Sequence, residues 1–205
     1  MPKGSLELTE KRKNEIIDAC KAVYEEQDFQ GVNMKAISTA LSMTRPAIYH
    51  YFETKEEILL GLLIREYEEW MKELNDFDFS KPHSRKDVLE KLTESLRDRD
   101  MMLRILNLNL YEIEVNSRLE RLTEFKKQYA ELSKLLKKYI STYKKFVSEM
   151  AEENFIRDFN AFLFGLYPFT HHTEKQLEAM KLAGMVFKEE SVQESVRSFL
   201  YKVLP

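Results

Sequence analysis

The sequence predicts an all-α protein, and three observations carry that prediction. Apolar residues recur at helical spacing along almost the whole of the 205 residues. Only five glycines and five prolines are present, less than half of average usage at roughly 12% for the two together, which is too few turn-formers for a many-stranded β protein. Hydroxyl residues followed three positions later by an acidic one also punctuate the pattern where helices should begin.

In chain order, Ile16, Cys20, Val23 and Tyr24 line one side of a first helix from about Glu10 to Glu26, with Thr9 as its cap. A short second helix fits Met34 to Leu41, capped by Asn33, with Ile37, Ala40 and Leu41 inward. A third runs from about Arg45 to Phe52 and sets Ile48 and Phe52 one turn apart on the buried side. Thr54 and Glu57 have capping-box spacing and open a long helix carrying Ile58, Leu59, Leu62, Leu63, Trp70 and Leu74. The segment from Asn75 to Ser84 loses the period and contains Pro82, so it reads as a connection. Ser84 to Asp87 opens a helix with Val88, Leu89, Leu92 and Leu96 inside, and an apolar stretch from Met101 to Val115 follows. One long Glu/Lys-rich helix is expected from Ser117 to about Met150, with Leu119, Leu122, Phe125, Tyr129, Leu132, Leu136, Tyr139 and Ile140 in register. Asn154 to Thr170 is so dense in aromatics that it must be covered on more than one side. Gly184 stops a short helix, and Ser191 with Glu194 opens the last, which carries Val192, Val196, Phe199, Leu200 and Val203.

Composition narrows the function classes. The length suits one or two domains. A single cysteine, Cys20, allows no internal disulfide framework and no multi-cysteine metal site within one chain, which points to a reducing compartment. No apolar run approaches the roughly 18 residues of a membrane span, and the start, MPKGSLELTEKRK, lacks a signal-peptide core, so a cytoplasmic protein is expected. With 32 Lys+Arg against 35 Asp+Glu the net charge is −3, so any DNA role must rest on local placement of charge.

That placement exists near the front. Two short helices joined by about three residues, the second starting with polar side chains, have helix-turn-helix geometry, whose second helix lies in a major groove. Arg45 can donate two hydrogen bonds to a guanine edge, Tyr49 and His50 can donate to phosphate oxygens, and Pro46 and Ala47 can touch a thymine methyl. Lys55 lies in the first turn of the following helix, where free amides and a cation together favour a phosphate. Between Met34 and Lys55 the cations are Lys35, Arg45 and Lys55, and the only anion is Glu53. Lys11, Arg12 and Lys13 add a basic approach.

Two stretches stand out, DFQGVNMKAI (Asp28 to Ile37) and TRPAIYHYFETKEEIL (Thr44 to Leu59). By them the chain, from Glu10 to about Trp70, resembles the tetracycline-repressor (TetR) family of bacterial transcription regulators. The second holds a small polar residue, an aliphatic, a tyrosine, a phenylalanine, and a Lys-Glu pair before two aliphatics, at the family's spacing. The resemblance implies that Lys35, Thr44, Arg45, Pro46, Tyr49, His50 and Lys55 fall where family members touch DNA. Asp28 and Ser42 stand where the family usually has glycine. Aspartate tolerates the left-handed conformation better than most residues, and Ser42 predicts a slightly different inter-helix turn.

The domain reading is therefore a DNA-binding part over residues 10–70, with its motif at about 33–52, and a helical effector-binding and dimerisation part over 71–205. The resemblance implies a homodimeric repressor that leaves a palindromic operator when a small molecule binds. Met101, Met102, Leu106, Phe125 and Phe162 are the expected cavity wall. The dimer contact is expected from the last two strongly apolar helices, about 154–170 and 192–204. No cofactor, metal site or catalytic constellation is expected: His171 and His172 are adjacent and diverge on a helix, and Cys20 sits on an apolar stripe. The alternative is a helical protein-interaction module, or an enzyme, that keeps the motif only as scaffold.

Overall fold

Helical spacing becomes ten helices, and no strand, among residues 3–204, the part that the computed structural model describes. They are α1 (Lys3–Gly31), α2 (Met34–Leu41), α3 (Arg45–Tyr49), α4 (Lys55–Asn75), α5 (Arg85–Ser95), α6 (Asp100–Val115), α7 (Leu119–Ser141), α8 (Glu149–Thr170), α9 (Glu174–Leu182) and α10 (Val192–Val203). The chain divides into two compact units, Met1–Arg65 with Asn109–Gln128, and Glu66–Leu108 with Tyr129–Pro205.

In the first unit Ile16, Cys20, Val23 and Tyr24 of α1 are buried, as are Val32, Ile37, Ile48, Phe52 and Ile58. Helix α1 begins well before Glu10, so Thr9 lies inside it rather than capping it. Asn33 does cap α2, its side chain accepting from the amides of Lys35 at 3.1 Å and Ala36 at 2.9 Å. Ile37 is buried, but Ala40 is exposed and Leu41 half-buried, because eight residues expose more than one side. Helix α3 stops at Tyr49, short of the expected Phe52. Phe52 still reaches the core from the following turn, which its amide closes on the Ile48 carbonyl at 3.1 Å.

The second unit packs around aromatics. Trp70 is fully buried, and its indole N–H donates to Ser95 Oγ at 2.9 Å. Ser84 and Asp87 form the expected capping box of α5, and Ser191 with Glu194 that of α10. The single helix expected from Ser117 to about Met150 is instead two, because residues 142–148 break it. There Thr142 Oγ1 bonds the Tyr139 carbonyl at 2.7 Å, the Thr142 carbonyl accepts from the His83 amide at 3.0 Å, and Ser148 caps a new helix through Ala151 N. Local hydroxyl bonds of this kind compete with helix continuation. Pro168 sits inside α8 and has no N–H for the Phe164 carbonyl. Asn107 Nδ2 supplies the missing donor at 3.1 Å. Gly184, at φ 71°, ends α9 in a left-handed turn, with the Met185 amide bonded to the Met180 carbonyl at 3.0 Å.

Candidate nucleic-acid interface

Helix α3 is too short to hold itself together, since isolated helices shorter than about 12 residues are marginal in water. Thr44 Oγ1 accepts from the Ala47 amide at 3.4 Å, Pro46 presets the first turn, and Ile48 alone of its five residues is buried. Everything else faces out. Thr44, Arg45, Pro46, Tyr49 and His50 are exposed, Ala47 is half-buried, and Lys35 is exposed in the first turn of α2. One buried isoleucine thus orients a guanidinium, a phenol and an imidazole toward solvent in two turns of chain.

The turn before α3 departs from expectation. Ser42 adopts φ 54°, ψ 33°, the left-handed conformation that a glycine would take, so the turn is not of a different kind. Its amide points at the Ser38 and Thr39 carbonyls, the Met43 amide reaches the Ser38 carbonyl at 3.2 Å, and Ser38 Oγ donates to the Met43 carbonyl. These bonds offset the roughly 1–2 kcal/mol that a side chain costs in this conformation. Asp28 is more strained. At φ 56°, ψ −176° it lies outside the left-handed helical region that aspartate tolerates, in a region nearly restricted to glycine that costs about 1–3 kcal/mol. The kink it makes in α1 leaves Phe29 with its ring beneath Lys55, whose Nζ lies 4.4 Å from the ring centroid.

The strongest polar constellation of this unit had no signal in the sequence. Glu57 is wholly buried. One carboxylate oxygen accepts from Arg118 Nε at 2.6 Å and from the Arg118 amide at 3.1 Å, and the other from Arg118 Nη2 at 2.8 Å and from the Glu53 amide at 2.9 Å. The capping box expected at Thr54 therefore forms only in part. Thr54 Oγ1 accepts from Glu57 N at 3.2 Å, but Glu57 reaches back to Glu53 rather than to Thr54. The Thr54 hydroxyl donates instead to the Asn116 carbonyl at 3.1 Å, and Arg121 Nη2 donates to the Tyr51 carbonyl at 3.0 Å. The turn between α6 and α7 is thereby bolted to the segment that joins α3 to α4. Burial pushes the Glu57 carboxyl up, but the Arg118 guanidinium and the two amides outweigh it, and its pKa falls below the ordinary value. The partner lies 61 residues away, and no local pattern announces a pair at that separation.

Among the cavity residues expected from sequence, Met101, Met102 and Leu106 are buried in the second unit, whereas Phe125 is buried in the first. Phe162 is half-buried against a different feature, a groove of about 540 Å³ between α8 and α10. Phe162, Gly165, Phe169, Phe187 and Phe199 line it, and the Phe162 and Phe199 rings stack at 4.1 Å. A Cβ built on Gly165 meets nothing within 4 Å. His171 stacks on Tyr167 at 4.1 Å with Nε2 3.4 Å from Asp100, while His172 packs edge-on to Phe187. Cys20 is fully buried, and desolvation pushes its thiol up to about 12, which keeps it protonated and unreactive.

Comparison with known proteins agrees with this geometry. Residues 16–62 match the family described as bacterial regulatory proteins, tetR family, and residues 64–201 match the tetracyclin repressor-like C-terminal domain. An uncharacterized HTH-type transcriptional regulator, YfiR of Bacillus subtilis (strain 168), is 31% identical over 102 residues, 47% of this chain and 48% of that protein. The chain thus matches about half the length of that curated relative. The fatty acid degradation regulator FadR from Bacillus halodurans aligns with a TM-score of 0.60 at 18% identity, covering 94% of both chains. A transcriptional regulator from Rhodococcus sp. Rha1 aligns with a TM-score of 0.61 at 14% identity, covering 94% of this chain and 95% of that one. At those identities the likeness is one of fold.

Proposed function

Because the chain belongs to the tetR family of bacterial regulatory proteins, and is accordingly a non-enzymatic, DNA-binding transcriptional regulator, we propose that it is a homodimeric repressor that reads a palindromic operator with α3 and releases it when a small molecule binds the second unit. The observation that carries this reading is the outward face of α3, where Arg45, Tyr49 and His50 stand over a single buried Ile48 beside Lys55. Arg45 reads a base edge, with Pro46 and Ala47 against a neighbouring methyl. Tyr49, His50, Thr44, Lys35 and Lys55 hold phosphates. Family members bind operator DNA and typically dimerise and bind small ligands. Two copies are physically needed because one five-residue helix makes too few base contacts for specificity.

The dimer contact forms through the faces of α8 and α10 around the Phe162 and Phe199 groove, as aromatic surface without a cover in one chain requires. The effector fits among Met101, Met102 and Leu106 of the second unit, and no metal or organic cofactor takes part. No helix of the described residues is long and apolar enough to cross a membrane, and the protein works in the bacterial cytoplasm, where its DNA is. Ligand binding changes the spacing of the two reading heads and shifts the population away from the DNA-competent state. Family membership does not favour an interaction module or enzyme that kept the motif as scaffold.

Footprinting on duplexes selected from random DNA tests the reading. A protected palindrome, lost in Arg45→Ala/Tyr49→Ala with the dimer intact, is expected. Unchanged protection by that variant overturns it.

A further inference from the structure

We propose that Phe29 is a positioning residue for DNA binding, holding the Lys55 ammonium ready for a phosphate through the face of its ring. The inference rests on the reading of Lys55 as a phosphate contact. Lys55 is the first residue of α4, and the free amides at a helix amino end carry partial positive charge. A lysine there is repelled by its own helix until an anion arrives, so without a holder its long side chain would swing away into water. The Phe29 ring lies 4.4 Å from Nζ, within cation–π range, and among the described residues Lys55 makes no ion pair.

The choice of an aromatic holder has a physical reason. A carboxylate at the same place would fix the ammonium more tightly but would neutralise it, and the phosphate would then have to displace that partner. A ring quadrupole attracts the cation and leaves its charge whole. The placement is built at some cost to the backbone, since Asp28 takes φ 56°, ψ −176° immediately before Phe29. The Phe29 carbonyl accepts from the amide of Val32 at 3.2 Å, and Val32 is fully buried, so the strained kink is anchored to the core on its far side. Backbone strain of this kind persists only where the surroundings over-determine it. Here its consequence is the position of one ring.

The test is a double-mutant cycle on the full-length protein with a duplex selected from random DNA by the wild type. Affinity is measured across a salt series for Phe29→Leu, Phe29→Trp, Lys55→Met and the double variant Phe29→Leu/Lys55→Met. Phe29→Leu should weaken binding about 5- to 20-fold for a dimer, and Phe29→Trp should bind as the wild type does. Lys55→Met should flatten the salt dependence by about one unit of slope per protomer. Adding Phe29→Leu to Lys55→Met should cost nothing further. A Phe29→Leu loss that persists undiminished in the Lys55→Met background, or that Phe29→Trp shares, overturns the proposal and leaves the phosphate contact standing. An unaltered salt slope in Lys55→Met removes the contact itself, and the role of Phe29 falls with it.

Discussion

The two units differ in the contacts at their centres. In the first, the buried Glu57 carboxylate receives four hydrogen bonds, three of them from Arg118, and the turn beside it is tied by Thr54 and Arg121 as well. In the second, Phe77, Tyr139, Phe155, Phe159 and Phe199 make ring contacts. Hydrogen bonds to charged groups are directional and hold one geometry, whereas apolar contacts tolerate repacking when volume is kept. The reading unit is thus built to present α3 in one pose. The aromatic unit keeps slack that a ligand or a second chain can take up.

Removing the charge at the centre of the first unit should break this contrast most severely. Glu57→Ala leaves two amides without their acceptor and Arg118 with only its exposed pair to Glu53, and should destabilise the protein by about 3 kcal/mol, read as a lower urea midpoint. The same pair sets a pH dependence. Because the folded pKa of Glu57 is depressed, its stabilisation is complete above the ordinary carboxylate range, roughly pH 4–5, and fades as the pH falls through the lower folded value. Glu57→Gln should lose part of that acid-side slope, and an unaltered slope would show that other carboxylates produce it.

Next in size is the reading face itself. Arg45→Ala should weaken operator binding by about 100-fold across the two copies, from 1–3 kcal/mol per good base contact, with no change in melting temperature because its side chain is exposed. A comparable fall in stability would mean that α3 is not a passive platform. In the aromatic unit, Gly165→Arg has room to start, since a Cβ at that position meets no atom within 4 Å in the monomer. It should leave thermal stability of the single chain within about 0.5 kcal/mol, as for other surface changes, yet weaken dimerisation at least tenfold in sedimentation experiments. An intact dimer would move the contact away from the α8 and α10 groove. The smallest effect belongs to Asp28→Gly, which relieves strain and should stabilise the protein by about 1 kcal/mol net of the added unfolded-state entropy.

Much of the first unit was legible because its work is done by local grammar. Asn33 and Thr44 cap helices within three residues of themselves, as Ser84 and Ser191 do in the second unit, and the outward residues of α3 follow from one buried position. Where prediction slipped, longer-range competition decided the result. Residues 142–148 ended a helix that periodicity carried through, because their carbonyls and hydroxyls found other partners. Phe52 reached the core from a turn rather than from a helix. Phe162 lies on a groove between α8 and α10, a placement that periodicity leaves open because it tells which face is apolar but not what that face meets.

By itself the sequence determined the all-α class, most helix starts and the chemical character of the reading helix, since these depend on backbone donors, caps and side-chain period within a few residues. The tertiary structure alone decided that Glu57 would be closed by Arg118, that Asp28 and Ser42 would bear positive φ without glycine, and that Phe29 would lie beneath Lys55. Such pairings join groups distant in the chain or strain that packing must hold, and neither leaves a periodic trace in the order of residues.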